Sequence, residues 1–261
     1  MVADYRSGML RYCVCNVLQI QRLLGENGAR KGKGSAIVIY EFFRLLGVTL
    51  GYPLQWLFFK RKTYYENGKK TSLKKGGKLL VINHYNMLDY VMNCFTVYPR
   101  KLYAVASEMP FRSKLARFGM KFFGAIEANR ETRNMKFIKD GAEVIKQGYL
   151  LYITPEGHNT PDGNMQPFHP SYVLIAHRAN APIVLIISDG NYGFFKRVRV
   201  MISEEINVSD FIDPNKKTPT KAEILAFNEY VQNKALKLRE EIEIRKAQEK
   251  QKRKKRSGEK Q

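Results

Sequence analysis

Leu79-Leu80-Val81-Ile82-Asn83-His84-Tyr85-Asn86-Met87-Leu88-Asp89 sets the architecture of this chain. Leu79 to Ile82 is an apolar run that reads as a strand. The end of such a strand is where open α/β sheets place their chemistry. His84 stands there with Asp89 four intervening residues later, and an imidazole held by a carboxylate takes a proton from a substrate hydroxyl. A wholly helical segment would set residues five apart well off a common face. His84 is therefore expected in the strand-to-helix turn and Asp89 on the first helical turn, where the two can meet. Taken alone the pair reads equally as a polar strand end and a local cap.

Outward from this segment, apolar runs at 101–106, 149–153, 182–187 and 198–202 predict further strands, and 88–97, 111–122, 133–147 and 168–179 have helical character. The alternation predicts an α/β fold: a single domain with a largely parallel or mixed sheet covered by helices, preceded by an N-terminal membrane-associating helical segment. Ile224, Phe227, Val231, Ala235, Leu238 and Ile242 step by threes and fours behind Thr220 and Glu223 at capping-box spacing, which predicts an amphipathic helix. The expected divisions are 1–62 for the N-terminal helical region, 63–244 for the α/β domain and 245–261 for a basic tail. With 261 residues and no repeat, one large core suffices.

The formal charge of +21 calls for an anionic partner, and composition does not choose between nucleic acid and the inner face of a membrane. No nucleic-acid recognition motif or interleaved aromatic platform stands out, so no nucleic-acid partner is expected. Cys13, Cys15 and Cys94 are odd in number and lack knuckle spacing, which disfavours a disulfide framework or a zinc site. Asp4, Arg6, Arg11, Asn16 and Gln19 break the first apolar stretch, against a cleavable secretory signal. Residues 37–59 are the most apolar, but Glu41, Arg44 and Gly51-Tyr52-Pro53 interrupt them. A hairpin or tilted helix sunk into one leaflet is expected rather than a full crossing, with Tyr52 and Trp56 at the interface. Lys60 to Lys62 and the lysines from Lys69 to Lys78 read either as a grip on lipid phosphates or as a solvated loop. The tail, with Lys250, Lys252, Arg253, Lys254, Lys255 and Arg256, is expected to be disordered in solution.

Three more blocks follow in order: Gly124-Ala125-Ile126-Glu127-Ala128-Asn129-Arg130, Pro155-Glu156-Gly157, and the proline-led run from Pro182 to Ile187. With the His84–Asp89 block, their order and spacing resemble the glycerolipid acyltransferases, the family that includes 1-acyl-glycerol-3-phosphate acyltransferase. The resemblance implies an O-acyltransferase that moves a fatty acyl group from acyl-CoA or acyl carrier protein to a lysophospholipid hydroxyl. Lysophosphatidic acid is the expected acceptor. His84 and Asp89 would be catalytic, Arg130 would bind the acceptor phosphate, and Glu156, presented by Pro155 and Gly157, would orient its hydroxyls. Asn83 has no derivable role. No metal, cofactor or acyl-enzyme is required, because the acceptor supplies the nucleophile, and Cys94 is expected to be structural. The resemblance also implies a peripheral or monotopic protein on the cytoplasmic face of a membrane, with anionic lipids as partners. Many family members continue Glu-Gly with Thr-Arg, and that arginine helps bind phosphate. Here His158-Asn159 follow, with Thr160 behind them as hydrogen-bonding groups suited to a neutral head. The change opens the acceptor's identity, and with it an alternative: a catalytically inactive lipid-binding or scaffolding protein on the same fold.

Overall fold

Three strands carry the centre of the molecule because their sequences are unbroken apolar runs. β2 (Lys78–Ile82), β5 (Leu150–Ile153) and β6 (Ile183–Ser188) lie in parallel, with β2 between the other two. Side chains alternate across a strand, so a run buried on both faces divides into two sets. Leu79, Val81, Leu151, Ile153, Leu185 and Ile187 fill one layer. Leu80, Ile82, Leu150, Tyr152, Val184 and Ile186 fill the other. Full burial of each such aliphatic side chain stabilises the fold by about 1.5–3 kcal/mol.

The computed structural model describes residues 58–86, 88–107, 124–128, 135–160 and 163–258, with isolated positions at 46, 47, 49–51, 55, 113, 114 and 120. The chain divides into two units, Met1–Tyr52 and Pro53–Gln261, and the second carries every element named here. The N-terminal readings, most of 37–59 and most of the helix expected at 111–122 lie outside the described residues.

β1 (Lys62–Tyr65), β3 (Leu102–Ser107), β4 (Ala125–Ala128) and β7 (Arg199–Ile202) complete a seven-stranded sheet of order β1-β7-β6-β2-β5-β3-β4. Only the β6–β7 pair is antiparallel, so the sheet is mixed. α1 (Leu88–Thr96) brings Met92 to the second layer. α2 (Lys136–Lys146), α3 (Ser171–Ala179) and α4 (Lys221–Gly258) cover the first, α4 through Phe227, Val231, Ala235, Leu238 and Ile242. The capping box is present: Glu223 N–H donates to Thr220 Oγ1 at 3.3 Å, and Thr220 N–H returns to Glu223 Oε2 at 2.7 Å.

Two features depart from the sequence expectation. β1 and β4 are strands that no apolar run announced; they are short and occupy the two edges of the sheet. Residues 245–258, expected to lack structure, continue α4. Glu249 accepts hydrogen bonds from Lys62 Nζ and Tyr64 on β1 and from Arg199 on β7, at 2.7 and 3.1 Å for the last. This pins the helix to the sheet four residues beyond Arg245, which itself pairs with Glu241 one turn back. Among the described residues no helix is long and apolar enough to cross a membrane.

Candidate active site

Because β2, β5 and β6 are parallel neighbours, their carboxyl ends come together. His84 follows β2, Glu156 follows β5, and Ser188 ends β6. Asn83 ties two of these ends: its amide nitrogen donates to the Ser188 carbonyl at 3.1 Å and its amide oxygen accepts from Ser188 N–H at 2.9 Å. The side chain thus continues the β2–β6 pairing one step past the ladder, a role the sequence did not disclose.

His84 and Asp89 meet as their spacing predicts. His84 Nδ1 is 3.1 Å from Asp89 Oδ2, and the imidazole remains 21% exposed while the carboxylate is wholly buried. Asp89 Oδ2 also accepts the backbone N–H groups of Tyr85 at 2.7 Å and Asn86 at 2.8 Å, which bends the turn around the carboxylate. A carboxylate only accepts, so Nδ1 carries the proton and Nε2 is left as the basic nitrogen. The opposite oxygen, Oδ1, accepts from the Tyr192 hydroxyl, which also lies 3.2 Å from Ser188 Oγ. Burial and then the Asp89 charge push the Tyr192 phenol far above its ordinary pKa, so it stays a donor. Tyr192 escaped the sequence reading because it lies 103 residues from Asp89.

Glu156 is held by the turn that follows β5. Its side chain is fully buried. Its Oε1 accepts His84 N–H at 2.9 Å, and its Oε2 accepts Gln166 N–H at 2.9 Å with the Thr160 hydroxyl at 3.2 Å. Thr160, expected to serve a lipid head, is also buried, and its backbone N–H donates to the His84 carbonyl at 2.8 Å. The His84 peptide is therefore held at both ends by the turn after β5. Gly157 sits in that turn at φ +78, a conformation that a β-carbon strains, in accord with its expected part in shaping it. His158 and Asn159 are exposed beside it. Arg130 lies outside the described residues. Cys94 sits half-buried on α1 against the second layer.

An acyltransferase family model matches residues 62–188, from β1 to the end of β6. The chain is 24% identical over 171 residues to a putative 1-acyl-sn-glycerol-3-phosphate acyltransferase of Caenorhabditis elegans, covering 64% of this chain and 56% of that protein. It therefore spans little more than half the length of that relative. It is 23% identical over 172 residues to the 1-acyl-sn-glycerol-3-phosphate acyltransferase of Bacillus subtilis, covering 64% of this chain and 83% of that one. In fold it is similar to the crystal structure of the 1-acyl-sn-glycerophosphate (LPA) acyltransferase PlsC from Thermotoga maritima, with a TM-score of 0.53 at 17% identity over 88% of this chain and 92% of that chain.

Proposed function

We propose that this chain is a member of the glycerolipid acyltransferases, a reading supported by the acyltransferase family model over residues 62–188 and by its similarity to two 1-acyl-sn-glycerol-3-phosphate acyltransferases, and that it moves a fatty acyl group from an acyl thioester to a lysophospholipid hydroxyl. The acceptor is 1-acyl-glycerol-3-phosphate and the product phosphatidic acid, with coenzyme A or acyl carrier protein as the thioester carrier. The carrying observation is the His84 Nδ1 contact of 3.1 Å to a buried Asp89 at the carboxyl end of the central strand.

In this reading Nε2 removes the proton as the acceptor oxygen attacks the thioester carbonyl carbon. The carbon–sulfur bond then breaks and the imidazolium returns the proton to the departing sulfur. Such base catalysis contributes about 10²–10⁴-fold. Asp89 fixes the tautomer, and Glu156 with Thr160 fixes the peptide that carries the ring. Arg130 holds the acceptor phosphate through charge-assisted bonds. The enzyme works at the cytoplasmic face of a membrane, peripheral or monotopic.

The test is purified protein offered acyl-CoA or acyl carrier protein with a panel of lysolipids. Transfer to lysophosphatidic acid is expected, with His84→Ala lower by about 10²-fold or more. A His84→Ala protein with wild-type turnover removes the mechanism. Transfer only to uncharged acceptors would trace to His158 and Asn159 and replace the acceptor assignment.

A further inference from the structure

The loop between β6 and β7 carries the most exposed aromatic side chains of the described residues: Phe194 is 61% and Phe195 68% exposed. This loop is not slack. Gly193 N–H donates to the Phe58 carbonyl at 3.2 Å, Val198 N–H to the Phe59 carbonyl at 2.9 Å, and Asn191 Nδ2 to the Arg197 carbonyl at 3.0 Å. Phe195 is held at φ +59, a left-handed conformation that costs a bulky residue free energy and persists only where its surroundings enforce it. The fold thus spends strain to present these rings to the outside. Phe194 packs on Phe58 at 4.6 Å and reaches Phe195 at 6.2 Å between centroids, making one apolar tip.

Cations ring that tip. Lys60 Nζ stands 4.9 Å from the Phe195 ring centre. A cleft of about 510 Å³ opens beside it, lined by Phe195, Lys60, Arg197, Arg199, Lys246 and Lys250 and by no acidic residue. Arg199 is paired with Asp189 and Glu249, and Lys246 with Glu243. Lys60, Arg197 and Lys250 have no carboxylate partner among the described residues.

We propose that the Phe58–Phe194–Phe195 tip and the Lys60–Arg197–Lys250 cleft form a docking surface for an anionic phospholipid bilayer, the rings entering the interface and the cations taking lipid phosphates. Exposed aromatic rings with neighbouring unpaired cations suit the headgroup boundary, where apolar and anionic groups lie side by side. The rings pack on one another rather than standing apart as base-stacking platforms, which argues against a nucleic acid. Location agrees: Tyr192, two residues before Phe194, hydrogen bonds to Asp89, so the loop that docks also reaches the catalytic carboxylate. That last link rests on the acyl-transfer reading; the surface itself does not.

Trp56 is the only tryptophan in the chain, so Trp56→Phe with Phe195→Trp places a single reporter at the tip. On vesicles of phosphatidylcholine with about 30 mol% phosphatidylglycerol, which supplies the anionic headgroups, we expect a blue shift and quenching by brominated lipid, both lost with pure phosphatidylcholine. Lys60→Gln, Arg197→Gln and Lys250→Gln should each weaken vesicle partitioning about five-fold, and less at high salt. Phe194→Ser with Phe195→Ser should lower transfer to vesicle-borne lysolipid and leave transfer to monomeric short-chain lysolipid intact. A reporter unmoved by anionic vesicles overturns the proposal. So does a reporter that responds to coenzyme A but not to lipid, which would assign the cleft to a nucleotide phosphate. Quenching without acyl transfer to any acceptor supports the docking surface and counts against the catalytic reading alone.

Discussion

Asp89 meets four donors while fully buried, and each fixes a different feature of His84. Two backbone donors shape the turn, the imidazole defines the tautomer, and Tyr192 holds the far oxygen. Tyr192→Phe keeps the ring, which packs on Phe59 at 5.8 Å, and removes only the hydroxyl. It leaves a buried carboxylate oxygen unsatisfied, at a cost of about 1–3 kcal/mol. We expect kcat lower on the order of ten-fold with KM unchanged and a cooperative melt retained; kcat equal to wild type removes Tyr192 from the machinery. Glu156→Gln is isosteric, yet its amide must set an NH₂ against an N–H donor, either that of His84 or that of Gln166. A residue that positions His84 should lose kcat at constant acceptor KM. A residue that touches the acceptor should raise KM instead, so the two roles separate in one titration. The His84–Asp89 pair was legible because five positions in one turn bring it together. Tyr192 and the contact of Glu156 with the His84 backbone were not, since they span 103 and 72 residues.

Elements follow the same division between local and distant causes. β2, β5 and β6 could be read from composition because both their faces are buried, which demands continuous apolar sequence. β1 and β4 could not. Lys62-Thr63-Tyr64-Tyr65 and Ala125-Ile126-Glu127-Ala128 carry little apolar surface, and they are strands because an edge of the sheet accepts them. α4 shows both behaviours along one helix. Its start is written locally in the capping box, and its apolar face in steps of three and four. Beyond Ile244, Arg245 over the Tyr64 ring and Glu249 with partners 50 to 187 residues away extend its contact with the sheet. Thr220→Ala removes the acceptor for Glu223 N–H, which should cost about 1 kcal/mol and lower the melting temperature by about 2–4 °C without changing kcat. An unchanged melt would show that helix packing alone sets where α4 begins.

At the scale of the whole molecule, a chain of formal charge +21 concentrates its few well-placed acids where they join elements. Glu249 is the main such joint, binding α4 to β1 and β7 beside the basic cleft. Burial pushes its carboxyl upward, but hydrogen bonds from Lys62, Tyr64 and Arg199 outweigh that and hold it at about 2, against an ordinary 4.5. A depressed carboxyl stabilises the fold above its unfolded value, and that contribution fades as pH falls through the folded value. The melting-temperature gap between wild type and Glu249→Gln should therefore be full at neutral pH, shrink below about pH 4.5 and close near pH 2, starting from a difference of about 2 kcal/mol. Glu223, which Lys216 and then Thr220 also hold at about 2, titrates in both proteins and cancels in the difference. General repulsion among the cations rises in acid as well, but it acts on both proteins and is screened by salt. A gap that persists undiminished at pH 2 would mean that Glu249 acts through shape rather than charge, whereas no gap at neutral pH would leave the extension of α4 to helix propensity and its other contacts.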